Sequence, residues 1–350
     1  MRLSVTITVP AGRDPGIGAG VALLDRVTAA VAALEAAGVT AVVVTPDRTP
    51  GVPPPAVEPT TLAGALARRT SSIGVVAADS ALFGYPYNTA RRLATLDHLT
   101  RGRAGWSVEA HPGPGEEAAF GVPLGDAVEQ AARAEEYVEV VTRLWNSWEP
   151  GAVVPDKVRG DFRDDTRIHP VVHRAAHFRL RGALDVPRSP QGRPVIVWPV
   201  RTALDVLCAA RHADVVVPWC PLRPTSRPPS VRSATPPRPR AGTRGSWSCC
   251  RRWPGVRCPA PSTPAGDPAA WAGAVRDLVR GSGADGATLV TDGTFDGLDE
   301  IASELVPALR AAGAPPERRG RRSRRGSLTA RLGLAGLRQP ARRPVAGEAS

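Results

Sequence analysis

The sequence predicts an α/β protein in which parallel strands alternate with helical crossovers. Two observations support this fold class. Short apolar or β-branched runs alternate with longer segments that repeat apolar residues at helical spacing, from the start of the chain to about position 217. The same alternation returns near position 271 after an interruption. This number of units fits either a doubly wound sheet or a (β/α)8 barrel.

The first four strand–helix units follow one another without a break. Apolar runs predict strands at residues 3–9, 41–45, 73–78 and 104–108. Helical periodicity predicts helices at residues 24–38, 60–70, 88–99 and 128–148. The first helix shows the pattern clearly, because Leu24, Val27, Val31 and Leu34 share one face and Gly38 is placed to end it.

The alternation is then interrupted by an excursion at residues 149–194, which is rich in turn-forming residues and histidine. We expect one hairpin in it, ending in the turn formers of residues 187–192. The strand–helix pattern resumes with a strand at 195–198, a helix at 203–213 and a sixth strand at 214–217. Residues 1–217 therefore predict six strand–helix units with one excursion.

A second interruption, at residues 218–266, has no apolar period of either kind. It contains twelve prolines, nine arginines and no acidic residue. Two explanations stay open: a disordered loop, or a shifted reading frame, because out-of-frame GC-rich codons give Arg, Pro, Ser, Ala and Cys without periodicity. Residues 267–314 restore the pattern with a helix through Trp271 and Val279, a strand at 287–291 and a helix at 298–309. Residues 315–350 form a basic tail.

The net charge of +12 is concentrated in these two irregular segments. Ten further arginines lie between Glu317 and Ser350, so the rest of the chain is mildly acidic and does not favour nucleic acid as a partner. No run of eighteen apolar residues and no secretory signal pattern is present, which favours a cytoplasmic protein without a membrane span. The five cysteines form no CxxC pair, and we expect reduced thiols.

Several longer motifs resemble one family. They are PYNTARRLATLDHL at residues 86–99, GRAGW at 102–106, AEEYVEVV at 134–141, LWNSW at 144–148 and VPRSPQGRP at 186–194. The chain is similar here to luciferase-like flavin monooxygenases, in the branch of the nitrilotriacetate, pristinamycin-synthase and dibenzothiophene-sulfone enzymes. The resemblance covers roughly residues 47–214, with weaker agreement after Asp267. It implies a (β/α)8 barrel, here incomplete or disrupted between the sixth strand and the seventh helix.

The resemblance also implies that FMN binds at the carboxyl-terminal mouth of the barrel. Asp47, at the end of the second strand, matches an acidic position that the family places near the flavin. After the third strand, where the family has hydroxyl residues, this chain has Ala78 and Ser80. After the fourth strand, Ser107 keeps a hydroxyl, whereas Glu109 puts a negative charge beside a ring that is anionic when reduced.

The phosphate end of the implied FMN site departs further from the family. Its His and Tyr near the phosphate fall on Ala127 and Ala131, and its Gly-Ser-Ser loop falls on Val200, Arg201 and Thr202. Arg201 could supply a charge-assisted hydrogen bond and Thr202 one hydroxyl. We therefore expect weak FMN binding, limited by the phosphate end.

Two other patterns are expected to be structural. His169, His173 and His177 are spaced like metal ligands on a helix, but Pro170 and the extended residues after it argue against a helix. Asp97 and His98 look like a catalytic pair but stand where a helix ends before a strand, which favours a capping role.

The predicted function is a monooxygenase that uses O2 and reduced FMN, supplied by a separate flavin reductase, on a small organic substrate. No acid or base side chain is assigned, because the flavin carries the reactive chemistry. The alternative is a degenerate barrel of the same family with weak or no flavin binding. A homodimer is compatible with either hypothesis, and nucleic-acid binding rests on the charge of the irregular segments alone.

Overall fold

Seven parallel strands form the central sheet in a computed structural model that describes residues 2–8, 21–46, 57–158, 160–218, 268–282, 286–290, 295–312 and 327–332. The strands are β1 (Arg2–Thr8), β2 (Ala41–Thr45), β3 (Gly74–Ser80), β4 (Ala104–Glu109), β5 (Val153–Asp156), β6 (Asp161–Arg163), β7 (Val171–Arg174), β8 (Arg179–Gly182), β9 (Val195–Val200), β10 (Val215–Pro218) and β11 (Gly286–Val290). The helices are α1 (Val21–Ala37), α2 (Pro59–Arg69), α3 (Pro86–Thr100), α4 (Glu116–Phe120), α5 (Ala127–Trp145), α6 (Ala203–His212), α7 (Pro268–Ser282), α8 (Phe295–Glu300), α9 (Val306–Ala311) and α10 (Leu328–Arg331).

The strand order defines a barrel with one gap. The seven strands follow the order β10-β9-β4-β3-β2-β1-β11, and every pairing is parallel. A doubly wound sheet reverses its strand order at a switch point, whereas here each strand lies beside its sequence neighbour in the repeat. Within the described ranges no strand lies between the outer strands β10 and β11. The prediction of a (β/α)8 barrel incomplete after the sixth strand is confirmed.

The two faces of the barrel strands pack differently. Alternate residues of a strand point to opposite faces. One set packs inside the barrel and includes Val43 of β2, Val76 of β3 and Val197 of β9. The other set faces the helices in a larger core that includes Trp106 and Trp198, both with no solvent exposure.

The amino-terminal end of the barrel is closed by α10. The Leu328 side chain is fully buried, and its backbone N–H donates to the Gly102 carbonyl at 2.8 Å. Only glycine fits opposite it, because a Cβ at Gly74 would lie 2.5 Å from Leu328 Cδ1. A ligand therefore approaches the described barrel from its carboxyl-terminal mouth.

The excursion contains two small antiparallel sheets, where the sequence predicted one hairpin. β5 pairs with β6, and β7 pairs with β8. The turn at 187–192 forms only a bridge between Ser189 and Gly192. Periodicity missed the first pair because β5 and β6 are short and almost entirely exposed, so they carry no buried face.

The last predicted helix, at 298–309, is divided by one π-helical stretch at Ile301–Leu305. Pro307 lies in the first turn of the following helix α9 and has no backbone N–H to donate to the preceding turn, which explains the change of hydrogen-bond pattern there. The other predicted strands and helices match the observed bounds to within about three residues at each end.

Candidate functional site at the barrel mouth

The inner face of the mouth carries four of the residues considered from the sequence. Ala78, Ser80, Ser107 and Glu109 all lie an even number of residues from inward-facing positions of their strands, Val76 and Gly105. The strand register pairs Ala78 with Ser107 and Ser80 with Glu109. These residues therefore form two successive layers at the carboxyl ends of β3 and β4.

The two serine hydroxyls have different surroundings. Ser80 Oγ accepts a hydrogen bond from the Leu82 backbone N–H at 3.1 Å, which fixes the turn after β3. Ser107 is 1% exposed and lies opposite Ala78 in the strand register.

Glu109 is paired with Arg201 across the mouth. Its side chain is 4% exposed, and Arg201 Nη2 donates to Glu109 Oε2 at 3.0 Å. The negative charge that the sequence places beside the implied flavin ring is thus matched by a cation from the loop after β9. Arg201 is itself 27% exposed and lies at the rim.

Asp205 organises the corner between β9 and α6. Its Oδ2 accepts hydrogen bonds from the backbone N–H groups of Arg201 and Thr202, at 2.9 and 2.8 Å. His111 Nε2, from the loop after β4, approaches the same carboxylate at 2.9 Å. Burial alone raises the pKa of Asp205, but the hydrogen bonds from His111 and the backbone outweigh it and lower the pKa to about 2. The carboxylate is therefore ionised at neutral pH.

The outer face of β3 carries a separate polar cluster. Thr89 Oγ1 and Arg92 Nη2 donate to Asp79 Oδ2 at 2.8 and 2.7 Å, and Thr89 Oγ1 lies 2.9 Å from the Tyr137 hydroxyl. Burial raises the pKa of Asp79, and the Arg92 charge offsets part of the rise. This cluster joins β3 to α3 and α5 behind the mouth.

The remaining predicted site residues are placed as follows. Asp47 lies outside the described residues, as do residues 219–267. Thr202 Oγ1 donates to Asp205 Oδ2 at 3.0 Å and accepts from the Asp205 N–H, so Thr202 is the N-cap of α6. Ala127 is the first residue of α5, directly after the N-cap Asp126, and Ala131 lies in the second turn of the same helix.

Sequence reasoning missed His111 and Asp205. The spacing Thr202-x-x-Asp205 before an apolar run is the pattern of a capping box, and it could have indicated the start of a helix with an acidic third residue. Nothing in the sequence indicates that His111 reaches the same carboxylate, because 94 positions separate the two residues.

The two patterns expected to be structural have partners within the fold. Asp97 is fully buried and accepts hydrogen bonds from Ala104 N and Gln191 Nε2, while His98 contacts the Pro187 carbonyl. Burial raises the pKa of Asp97 despite these bonds. Of the three histidines, His169 lies beside Glu149, His173 beside Glu136, and His177 donates its backbone N–H to Glu136.

A parallel α/β barrel with polar residues at the carboxyl ends of its strands defines a protein of the TIM-barrel class. Residues 1–227 match the luciferase-like monooxygenase family, and the chain belongs to that family. The resemblance drawn from the motifs is confirmed. No helix in the described ranges has the length and apolar character to span a membrane.

The relatives fall in the predicted branch. Nitrilotriacetate monooxygenase component A of Aminobacter aminovorans is 44% identical over 163 residues, which are 45% of this chain and 35% of that protein. Dibenzothiophene-sulfone monooxygenase of Rhodococcus erythropolis is 41% identical over 145 residues, 41% of this chain and 32% of that protein. The chain spans about a third of the length of these relatives.

Solved structures confirm the fold. The EDTA monooxygenase of Chelativorans sp. BNC1 is similar with a TM-score of 0.71, over 96% of this chain and 98% of that one. The identity is 20%, so this likeness concerns the architecture alone.

Proposed function

We propose that the chain is a flavin-dependent monooxygenase that acts on a small organic substrate and receives reduced flavin from a separate reductase. Family membership and the names of the relatives support this proposal. The structural observation that supports it most directly is the pair of serines, Ser80 and Ser107, in successive layers on the inner face of the mouth. When bound, reduced flavin supplies two electrons, with which O2 gives one oxygen atom to the substrate and one to water.

The residues present fit the ring end of a flavin. Ser107 offers a hydroxyl to a polar edge of the flavin ring, and Ser80 offers a second hydroxyl in the next layer toward the end of the strands. Ala78, beside Ser107, has only a methyl side chain and therefore leaves space for the ring. Asp47 stays a predicted contact. The protein supplies orientation and exclusion of water, since the flavin carries the reactivity.

The residues fit the phosphate end of FMN poorly. Arg201 and Thr202, the contacts expected there, are engaged by Glu109 and Asp205. FMN as the particular flavin is therefore the part of the proposal that the described contacts support least.

Oxygen transfer tests the proposed function. Anaerobically reduced flavin is mixed with the protein, then with ¹⁸O2 and a candidate substrate such as nitrilotriacetate or dibenzothiophene sulfone. We expect one labelled oxygen in the product, detected by mass spectrometry, only when the protein is present. A protein that binds no flavin and labels no substrate of a broad panel would instead support the degenerate barrel.

A matched pair of variants tests the assigned ring end. Ser107→Ala removes the buried hydroxyl and should weaken flavin binding about two- to tenfold, the value of one hydrogen bond. Ser303→Ala removes a surface hydroxyl that bonds only within its own helical segment and should leave flavin affinity unchanged. Flavin fluorescence titration measures both. Equal flavin affinities of the two variants would show that the Ser107 hydroxyl does not contact the flavin.

A further inference from the structure

The corner between β9 and α6 holds a complete set of anion contacts, and a carboxylate of the chain itself uses them. Asp205 Oδ2 takes the Arg201 N–H, the Thr202 N–H, the Thr202 hydroxyl and His111 Nε2, all between 2.8 and 3.0 Å. These are the types of donor that bind a phosphate at a helix N-terminus. The Asp205 side chain is 5% exposed, so the occupant is also shielded from water.

The neighbouring cation is also matched. Arg201 is the rim residue that could pair with an incoming anion, and its guanidinium donates to the buried Glu109 at 3.0 Å. Glu109 and Asp205 together carry two negative charges, whereas Arg201 carries one positive charge. Both carboxylates stand where a phosphate dianion would have to enter, and each would repel it.

The geometry points to Asp205 as a specificity-determining residue, an internal anion that makes the mouth recognise a flavin by its ring and not by a phosphate. The inference rests on the proposed function and refines its cofactor class to flavins whose phosphate contributes no affinity. A phosphate that entered the corner would have to displace Asp205 from its donors or lie beside it as a like charge, and either costs affinity.

Parallel fluorescence titrations with FMN and riboflavin test this inference. For the unaltered protein we expect FMN to bind no more tightly than riboflavin. Asp205→Asn keeps the size and an acceptor but removes the charge, and should shift the ratio of the two dissociation constants at least tenfold toward FMN. A purely structural role would lower both affinities together and leave the ratio unchanged.

Two further variants test whether charge at this corner controls the ratio of the FMN and riboflavin dissociation constants. Glu109→Gln removes one negative charge beside Arg201 and should shift the ratio in the same direction, which keeps the test open if Asp205→Asn folds poorly. Glu58→Gln is the control: Glu58 caps α2 with four hydrogen bonds, as Asp205 does for α6, but within the described ranges it contacts no histidine or arginine. It should leave the ratio unchanged.

Inorganic phosphate supplies a test that needs no flavin. We expect phosphate, compared with chloride at equal ionic strength, to give no saturable thermal stabilisation of the unaltered protein and a saturable one of Asp205→Asn. If the protein binds no flavin at all, the proposed function is wrong. The phosphate measurement would still show whether Asp205 keeps a phosphate out of this corner. The inference is overturned if the unaltered protein prefers FMN tenfold or binds phosphate, or if Asp205→Asn gains neither property.

Discussion

The ion pair between Arg193 and Asp214 offers a stringent test of how the sixth barrel strand is attached. Both side chains are buried, with exposures of 7% and 12%. The pair is bidentate at 2.7 and 2.8 Å, and Asp214 Oδ2 also accepts the Ile196 backbone N–H at 2.8 Å. Asp214 thus joins the start of β10 to β9 through three hydrogen bonds.

Asp214→Ala removes all three bonds and leaves the Arg193 guanidinium buried without its carboxylate. Arg193 then keeps only the Pro194 carbonyl at 3.1 Å, and its Nε has no partner in the described structure. Loss of one partner of a buried pair costs about 3–5 kcal/mol. With an m-value of about 3 kcal/mol per M, the midpoint of urea unfolding, followed by circular dichroism, should fall by about 1–1.7 M.

Two controls separate this loss from general damage. Asp165→Ala breaks the exposed pair with Arg163 and should cost less than about 1 kcal/mol. The double variant Arg193→Met/Asp214→Leu replaces the pair with apolar groups and should recover most of the stability. A cost for Asp214→Ala no larger than that of Asp165→Ala would refute the reasoning.

Three other substitutions probe the barrel interior and the mouth. Gly105→Ala should destabilise by about 1–3 kcal/mol in urea unfolding, because its Cβ would meet Val76 Cγ2 at 2.9 Å; an unchanged midpoint would contradict the tight interior. Leu328→Ala should cost about 2–5 kcal/mol by opening a cavity at the closed end of the barrel, and a surface-like cost below 1 kcal/mol would show that α10 does not seal it. Asp205→Asn should cost about 2 kcal/mol at pH 7, since a pKa of about 2 lies below the unfolded value; the difference should shrink as the pH falls from about 4, to roughly half at pH 3 and to a few tenths of a kcal/mol at pH 2, and an undiminished difference at pH 2 would contradict the ionised carboxylate.

The fold could be predicted from the sequence because its signals are local and repeated. The helix at residues 21–37 buries Val27, Val31 and Leu34, the residues whose spacing indicated it. The strand β2 matches its predicted bounds because a β-branched run between two helices has one stable arrangement in a parallel sheet. The exposed strands β5 and β6 gave no such signal.

The mouth could be predicted only in part, for a physical reason. The strand ends that carry Ser80 and Ser107 follow from the strand assignments, since carboxyl ends of parallel strands meet at one edge. The pairing of Glu109 with Arg201 joins residues 92 positions apart, and it depends on side-chain rotamers that no local pattern encodes. The sequence therefore predicted which strand ends carry polar groups but not which of these groups neutralise one another.

Two helix caps show how burial, more than residue type, decides whether a carboxylate affects ligand choice. Glu58 and Asp205 each accept four hydrogen bonds near a helix N-terminus, and hydrogen bonds lower the pKa of both against the effect of burial. Among the described residues Glu58 bonds only to Thr60 and Thr61 of its own helix, at exposed positions, so water screens its charge. Asp205 is buried beside His111 in the wall of the mouth, where water screens its charge much less. The same capping chemistry that merely starts α2 therefore places, at α6, a shielded negative charge in the wall of the mouth.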